Sequence, residues 1–593
     1  MSSFPKHSFE QAYDHVFPPG LSDEIHHSPR RRSAAGNGGS QGYFSERSPL
    51  ITKAPLGTQP SYTNNGSRPP NKAPSATSTS STDTLLESGL SPNGHRDNDG
   101  DDNDDASSCN QGPMTGRKSD FLSIHEMTMR EFKILLQYSG PIVFTYAMQN
   151  SFQLACILSL GHLGSMELAA SSLASMFAAV TCWSVSLGAA TALDTLCSQS
   201  YTSQHPHVLG LHLQRAIIVL MLLFLPIAGI WLSAEHIFLL LGQEPDLAKH
   251  AALFLRGLLP GAPAYLIFEC AKKFLQAQGN MHASTYVLLI VLPFNFLLNY
   301  LLVWNKYIGI GFIGAPIATS ISYWSMLLLF ILYLRFVDGY RGWGGWSRDC
   351  LKGWPMFLKL ALPGIMMVCT EWWAFEVISL AASYLGTVSL AAQSIVVQTS
   401  GLLYSVPFGV SVAASNRVGN LMGMGDARAA RISSRVSIVL AIMFGIVNST
   451  ILIIFKEGWG RLFSEDVEVV KTVALVLPLV ALFQIGDGLA GVGGGVLRGV
   501  GLQHLGAYWN LIAYYLVAFP LGYFLAFKLH WGLKGLWSAL CVALWIVGLG
   551  EFVVILRTNW NGEVDKCKER NDLTAKTKII NDEESRLLDC HAS

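Results

Sequence analysis

"LGSMELAASSL", residues 163–173, and "LGTVSLAAQSI", residues 385–395, are one pattern written twice, 222 positions apart. Other pairs keep the spacing: Pro141 with Pro363, "FLQAQG" (274–279) with "VLRGVG" (496–501) and, at 221, "GFIGAPIA" (311–318) with "GLKGLWSA" (532–539). One nearly constant offset across the core means a single structural unit present twice. Composition says what that unit is.

Half of the 593 residues are hydrophobic and 14% are charged, and the charge is unevenly spread. Residues 1 to about 118 are rich in Ser, Pro, Gly, Asn and His, with tracts such as "SATSTSSTDT", and read as disordered. From Phe132 to Leu556, apolar segments follow one another with short breaks, and a membrane-spanning helix needs roughly 20 apolar residues. Twelve segments are expected, near 133–158, 168–196, 209–232, 250–271, 283–303, 313–336, 355–384, 390–415, 433–455, 469–493, 506–527 and 536–556. The fold class is thus an all-α polytopic membrane protein, with twelve transmembrane helices in two six-helix lobes. The expected organisation is a disordered N-terminal tail (1–118), an N-lobe (119–345, helices 1–6), a C-lobe (346–557, helices 7–12) and a C-terminal tail (558–593). Six is even, so both lobes insert the same way up, the parallel-repeat plan of secondary transporters that bind substrate between halves. Twelve Lys and Arg border the even-to-odd connections, including Arg215, Lys272, Lys273 and Arg498, against eight on the other side. By the positive-inside rule both tails are cytoplasmic.

Several function classes drop out. Net charge is zero and no basic cluster carries aromatic neighbours, so nucleic acid is not an expected partner. The ten cysteines are scattered, with no CxxC or Cys/His pair at metal-ligand spacing, and no metal or cofactor is expected. "DNDGDDNDD" (97–105) lacks EF-hand spacing and reads as an acidic spacer. No signal-peptide pattern opens the chain. "SPRRRS" and "SERSPLI" have the form of kinase-accessible tail segments. "ERSPLI" (46–51) and "EESRLL" (583–588) resemble acidic dileucine signals, which sorting adaptors read, and favour the vacuolar over the plasma membrane.

The polar groups within the apolar segments carry the function. "CTEWWAFEVISL" (369–380) holds Glu371 and Glu376, and a charged side chain in hydrocarbon costs several kcal/mol or more. They lie about 140° apart on a straight helix, so one faces a central cavity and the other packs within its own half unless Pro363-Gly364 bends the helix. Under the repeat, Glu371 aligns with Gln149, giving two halves of one shape and unequal charge. The competing reading is a glutamate that only ties helices together. Asp487, in "LFQIGDGLAGVGGGVLRG" (482–499), is the second candidate acid, beside a glycine run suited to close helix approach or bending. A purely structural Asp487 would pair with Arg498. Asp194 and Glu269 read as structural or gating residues, Glu269 having Lys272 and Lys273 one turn away. Asn448 forms a glycosylation sequon inside an apolar helix, where it should be unused.

At "CTEWWAFE", "GAATALDTLCSQSY" (188–201), "VPFGVSVAASNRVGNLMG" (406–423) and "GGVLRGVGLQ" (494–503), the chain resembles eukaryotic multidrug and toxic compound extrusion (MATE) transporters. The resemblance covers about 130–557, and the N-terminal extension is similar to that of fungal members. It implies a twelve-helix, two-lobed antiporter exporting organic cations, drugs or metabolites in exchange for protons, with no enzymatic step. It assigns proton coupling to Glu371, Asp487 and Glu376, and cation binding to Glu371. Gln149, Gln398 and Phe375 are the other candidate substrate contacts. Animal members carry a glutamate where this chain has Gln398, so the cavity is less negative and neutral or anionic metabolites become admissible. Sodium coupling is the alternative within the family, and a lipid-headgroup flippase of related fold the alternative outside it. The flippase is disfavoured because the basic residues lie mainly at helix ends. A membrane enzyme has no His-rich cluster, aspartate-rich motif or GxSxG elbow to stand on.

Overall fold

The computed structural model describes residues 124–575 apart from His162, Tyr340 and Arg341. The N-terminal tail, with "ERSPLI" and the acidic spacer, and the distal "EESRLL" lie outside the described residues.

Each of the twelve expected segments is helical: α1 (Ile124–Gly161), α2 (Ser165–Tyr201), α3 (Val208–Leu232), α4 (Pro245–Leu258 and Ala262–Ala277), α5 (Ala283–Trp304), α6 (Gly311–Phe336), α7 (Trp354–Ser383), α8 (Thr387–Gly423), α9 (Ala427–Leu462), α10 (Val467–Val500), α11 (Gln503–Lys528) and α12 (Leu533–Arg557). Ten of them are long and apolar enough to cross a bilayer as single helices, and α4 makes an eleventh if its halves, bent by 52°, form one span. The remaining helix, α1, is 38 residues long but carries Tyr138, Gln149, Asn150 and Gln153 through its middle, which lowers its hydropathy. Both the bend in α4 and its packing are written locally. Pro260 and Pro263 interrupt the backbone ladder, and a Cβ on Gly261 would lie 2.5 Å from the Cα of Ser320, so only glycine lets α4 lie this close to α6. The Pro363-Gly364 pair leaves α7 an unbroken helix from Trp354 to Ser383. Its glycine serves close packing instead: a Cβ on Gly188 of α2 would come within 2.8 Å of the Gly364 carbonyl oxygen.

Apolar side chains collect in three clusters. One fills the N-lobe around Trp231, Phe268 and Phe330, and a second fills the C-lobe around Phe483, Tyr514 and Trp537. The third joins the lobes: Leu135 and Ile142 of α1 pack with Val410–Met422 of α8, Leu440 of α9 and Val496 of α10. Polar contacts cross at the same level. Arg417 of α8 grips Glu131 of α1 with two hydrogen bonds of 2.6 and 2.8 Å. Gln199 of α2 donates to the carbonyl oxygens of Gly499 (2.8 Å) and Val500 (3.2 Å) on α10, and Thr202 donates to that of Asn420 (2.6 Å) on α8. These positions lie at the start of α1 and the ends of α2, α8 and α10, which is the end of the bundle bearing the chain's tails. Higher up, the Trp373 indole of α7 donates to the Val180 carbonyl oxygen at 3.2 Å. Val180 sits in a π-helical turn (Ala179–Trp183), a local widening often found at functional sites.

The chain does not become a free tail at residue 558. Residues 560–575 form a further helix, α13, whose Trp560, Val564 and Cys567 are buried in the inter-lobe cluster. Their spacing of four and three residues is the stripe of an amphipathic helix. Although α13 follows the C-lobe, it binds the N-lobe: Ser200 Oγ donates to Asn571 Oδ1 at 3.0 Å, and Arg570 bonds Gln199. At the N-terminal end of α7, Thr574 reaches Met356 Sδ at 3.7 Å.

Candidate functional site

Four buried charges of the N-lobe, on α2 and α4, come in two lysine–acid pairs. On α4, Lys272 Nζ lies 2.7 Å from Glu269 and also donates to Gln149 Oε1 at 3.2 Å, while Gln149 Nε2 donates back to Glu269 at 2.9 Å. The ammonium sits 4.4 Å from the centre of the Tyr146 ring, which adds a cation–π attraction. The neighbouring Lys273 takes the other acid, its Nζ 2.8 Å from Asp194 of α2. All four charged side chains are almost wholly buried. Lys272 and Lys273, counted in the sequence among cytoplasmic-side cations, are thus partners for intramembrane acids. Glu269 keeps only the first of its two expected lysines.

The C-lobe is built differently. Glu371, half-buried on α7, Asp487, buried on α10, Glu551, buried on α12, and the hydroxyls of Tyr404 (α8) and Tyr514 (α11) are near enough to act on one another electrostatically. The glycines beside Asp487 are what let these helices approach: a Cβ on Gly491 would lie 3.3 Å from the Tyr404 ring, and one on Gly495 would strike the Ser411 carbonyl oxygen at 2.4 Å. Helix α10 runs unbroken through that glycine run. The cation among these groups is Arg498. It does not pair with Asp487: its Nε is 3.6 Å from Asp194 of the N-lobe, and its Nη2 donates to Ser411 Oγ at 2.8 Å. Arg498 therefore joins the C-lobe acids to the N-lobe ion pair.

The other sequence candidates separate from this group. Glu376 is half-buried on α7 and joins none of these acids, in line with its rotation away from Glu371. Phe375 packs edge-on against Phe483, ring centroids 6.1 Å apart, inside the C-lobe. Gln398 is exposed on α8. Gln149, half-buried, is bonded into the N-lobe pair of Glu269 and Lys272. Asn448 is buried, donating to the Leu403 carbonyl oxygen at 3.2 Å. Glu551 is the acid that sequence reading passed over. It is the one carboxylate in α12, and the rule that singled out Glu371, an ionisable residue amid an apolar span, applies to it equally.

Residues 141–301 and 363–524 each match the MatE family domain, again 222 positions apart at their starts. The chain is a member of the MATE family of transporters. It is 42% identical over 443 residues to an uncharacterized transporter of Schizosaccharomyces pombe, covering 75% of this chain and 82% of that one. It is 36% identical to multidrug and toxin extrusion protein 1 of Homo sapiens, covering 76% and 78% of the two chains. Among solved structures it is similar to the eukaryotic MATE transporter AtDTX14, with a TM-score of 0.71, 31% identity, and 75% of this chain and all of that one covered. The MATE assignment matches the twelve-helix, two-lobe architecture expected from the repeat, and makes the protein a multi-pass membrane transporter.

Proposed function

We propose that this MATE protein is a proton-coupled antiporter that moves small organic cations, drugs or metabolites out of the cytosol by alternating access, with Glu371 and Asp487 as the acids that proton and substrate share. The supporting observation is the charge inventory: in the C-lobe, Glu371, Asp487 and Glu551 have one guanidinium among them, already engaged by Asp194, whereas Asp194 and Glu269 of the N-lobe each have a lysine. An acid without a cation of its own is free to hold either a proton or a cationic ligand. A proton on Glu371 removes the attraction for the ligand, so binding of one opposes binding of the other, and by linkage the reverse holds. Rocking of the two lobes about the central site turns that opposition into exchange. Each proton then delivers about 2.3 kcal/mol per 100 mV of membrane potential and about 1.4 kcal/mol per unit of pH difference. With the tails in the cytosol, the tail-end packing of the lobes is the outward-facing arrangement. In this reading Glu376 stands outside the coupling group.

The test is uptake of a labelled organic cation into proteoliposomes under an imposed pH gradient. Glu371→Gln is expected to abolish the gradient-dependent part, and Glu376→Gln to retain it. Uptake that survives Glu371→Gln would move the coupling elsewhere, and uptake driven by sodium in place of protons would overturn the reading. The dileucine motifs favour the vacuolar over the plasma membrane; alanine at Leu50, Ile51, Leu587 and Leu588 is expected to redirect the protein, read by microscopy of a tagged chain.

A further inference from the structure

Glu551 poses a problem that the coupling acids do not solve. It is fully buried, and neither carboxylate oxygen has a side-chain hydrogen-bond partner among the described residues. The side chain lies against three glycines: Cβ atoms placed on Gly493 and Gly494 of α10 and Gly506 of α11 would come within 2.7, 3.5 and 3.0 Å of its oxygens. Met367 of α7 closes the same pocket. The charged and titratable groups around it are Arg498 of α10, Glu371 of α7, Tyr404 of α8 and Tyr514 of α11. An ionised carboxylate stripped of water and of side-chain donors, with the Gly494 backbone N–H beside it, is a costly group for a protein interior to hold. In this arrangement of the lobes, the site suits the protonated acid.

The cation that would satisfy the ionised acid is close by. Arg498 Nη1 and Glu551 Oε1 each lie 3.5 Å from the position a Gly494 Cβ would take, so they are at most twice that distance apart, over the face of a glycine and beside the end of Met367. Two contacts hold Arg498: Asp194 across the lobe boundary at 3.6 Å, and Ser411 Oγ of its own lobe at 2.8 Å. When the lobes part at the tail end, the charged contact is broken and only the neutral hydroxyl still holds the guanidinium.

We propose that Glu551 is a proton-binding switch residue, protonated while Arg498 is held by Asp194 of the N-lobe and ionised when Arg498, released by separation of the lobes, swings past Gly494 to pair with it. Protonation of Glu551 therefore favours the lobes closed at the tail end, and its deprotonation favours their opening there. Glu551 acts through Arg498 and touches no substrate, so it is a positioning residue for the transport cycle. The inference rests on the alternating-access reading, but concerns an acid distinct from Glu371 and Asp487.

The test measures lobe separation, not transport. The eight cysteines among the described residues are all buried, so replacement of Cys109 and Cys590 leaves spin labels at Gln204 and Met424, on the tail-end loops of the N- and C-lobes, as the reporters. The full-length protein in lipid nanodiscs carries Glu371→Gln and Asp487→Asn throughout, which removes the proposed coupling acids from the titration. With Glu551 present, the short-distance population is expected to fall as pH rises, the closed-to-open ratio changing by up to tenfold per pH unit for one proton. Glu551→Gln is expected to hold the short distance at every pH. Gly494→Ala, which keeps both charges but puts a methyl group between them, is expected to do the same, and decides the matter if Glu551→Gln fails to fold. Its added methyl meets first the flexible end of Met367, and then these two side chains. A distance that ignores pH with Glu551 intact, or a pH dependence that survives Gly494→Ala, overturns the proposal. Either result leaves proton-driven uptake by the wild type, and with it the proposed function, standing on its own measurement.

Discussion

Asp194→Asn tests the join between the two lobes. Asp194 is 1% exposed and serves two cations, Lys273 at 2.8 Å within its lobe and Arg498 at 3.6 Å across the boundary. Breaking a buried pair by removing one partner costs about 3–5 kcal/mol, because the other charge is left uncompensated. Asparagine keeps a carbonyl oxygen that still accepts one hydrogen bond from Lys273, so the expected loss lies at the lower end, about 3 kcal/mol. The cross-lobe attraction to Arg498 sets a second scale: at an effective dielectric constant of 20, unit charges 3.6 Å apart attract by about 5 kcal/mol before desolvation is subtracted.

The two contributions separate in a cycle. Lys273→Met removes the stranded ammonium at similar volume, so Asp194→Asn with Lys273→Met is expected to recover most of the unfolding free energy lost by Asp194→Asn alone. The double variant still lacks the bond to Arg498, so its lobes are expected to separate more readily at the tail end. Equilibrium unfolding in mixed detergent micelles reads the first, and the distance between spin labels at Gln204 and Met424 reads the second. A loss under about 1 kcal/mol for Asp194→Asn, or no recovery in the double variant, would refute the claim that this aspartate is a buried counter-ion.

Three further outcomes follow from particular contacts. Arg417→Ala strands Glu131, which is 4% exposed and loses both of its hydrogen bonds; a cost of about 3 kcal/mol or more in the same unfolding assay is expected. Gly188→Ala places a Cβ 2.5 Å from the Ile365 backbone, so α2 and α7 are forced apart and the short Gln204–Met424 distance should be depleted without loss of the helical circular-dichroism signal. Cys567 lies on α13 outside the membrane helices, and burial pushes its thiol up from the usual value while Arg570 partly opposes the shift. Thiolate is the reactive form, so with Cys109 and Cys590 replaced, maleimide modification should be slow at pH 7 and climb as pH rises towards the raised value. Rapid labelling at pH 7 would mean that α13 undocks.

The architecture was legible because its signals are repeated and long: a 222-residue offset, twelve apolar runs and a register of polar residues that recurs in both halves. The site was legible in part. Glu371 and Asp487 stand out against apolar neighbours, and their place in one lobe needs only that α7 and α10 both pack against α8. What the linear chain does not carry is partner choice. Lys272 and Lys273 are adjacent in sequence and both within a turn of Glu269, yet they point 100° apart on a helix, and the second finds Asp194 79 residues earlier. Arg498 lies three turns beyond Asp487 on the same helix and binds the opposite lobe. Helix α13 was hidden because a 16-residue amphipathic stripe embedded in charged sequence looks like a tail until its docking surface exists.

The repeat also explains why the two lobes differ in charge. At the common offset, Lys272 and Lys273 correspond to Gly494 and Gly495, Glu269 to Gly491, and Asp194 to Asn416. The N-lobe's four charges thus have no counterparts in the C-lobe. With glycines where the N-lobe has lysines, the C-lobe lacks cations at this depth and has space there instead. Glu551 occupies part of it, against the face of Gly493 and Gly494; near the 221 offset of the "GFIGAPIA" pair, its counterpart is the buried Phe330. One duplicated frame therefore yields a lobe whose buried charges cancel and a lobe whose acids outnumber their cations. Rigid-body rocking needs the first as a stable body, since closed ion pairs exchange nothing with the cavity. Coupling needs the second, since only an acid without a fixed counter-ion is open to both proton and cation. Placing a lysine at Gly494 is then the direct inversion of that difference: Gly494→Lys should place an ammonium beside Glu551, neutralise the excess, and abolish gradient-driven uptake in proteoliposomes while the helical content stays unchanged. Undiminished uptake in such a variant would show that the excess negative charge of the C-lobe is not what couples it.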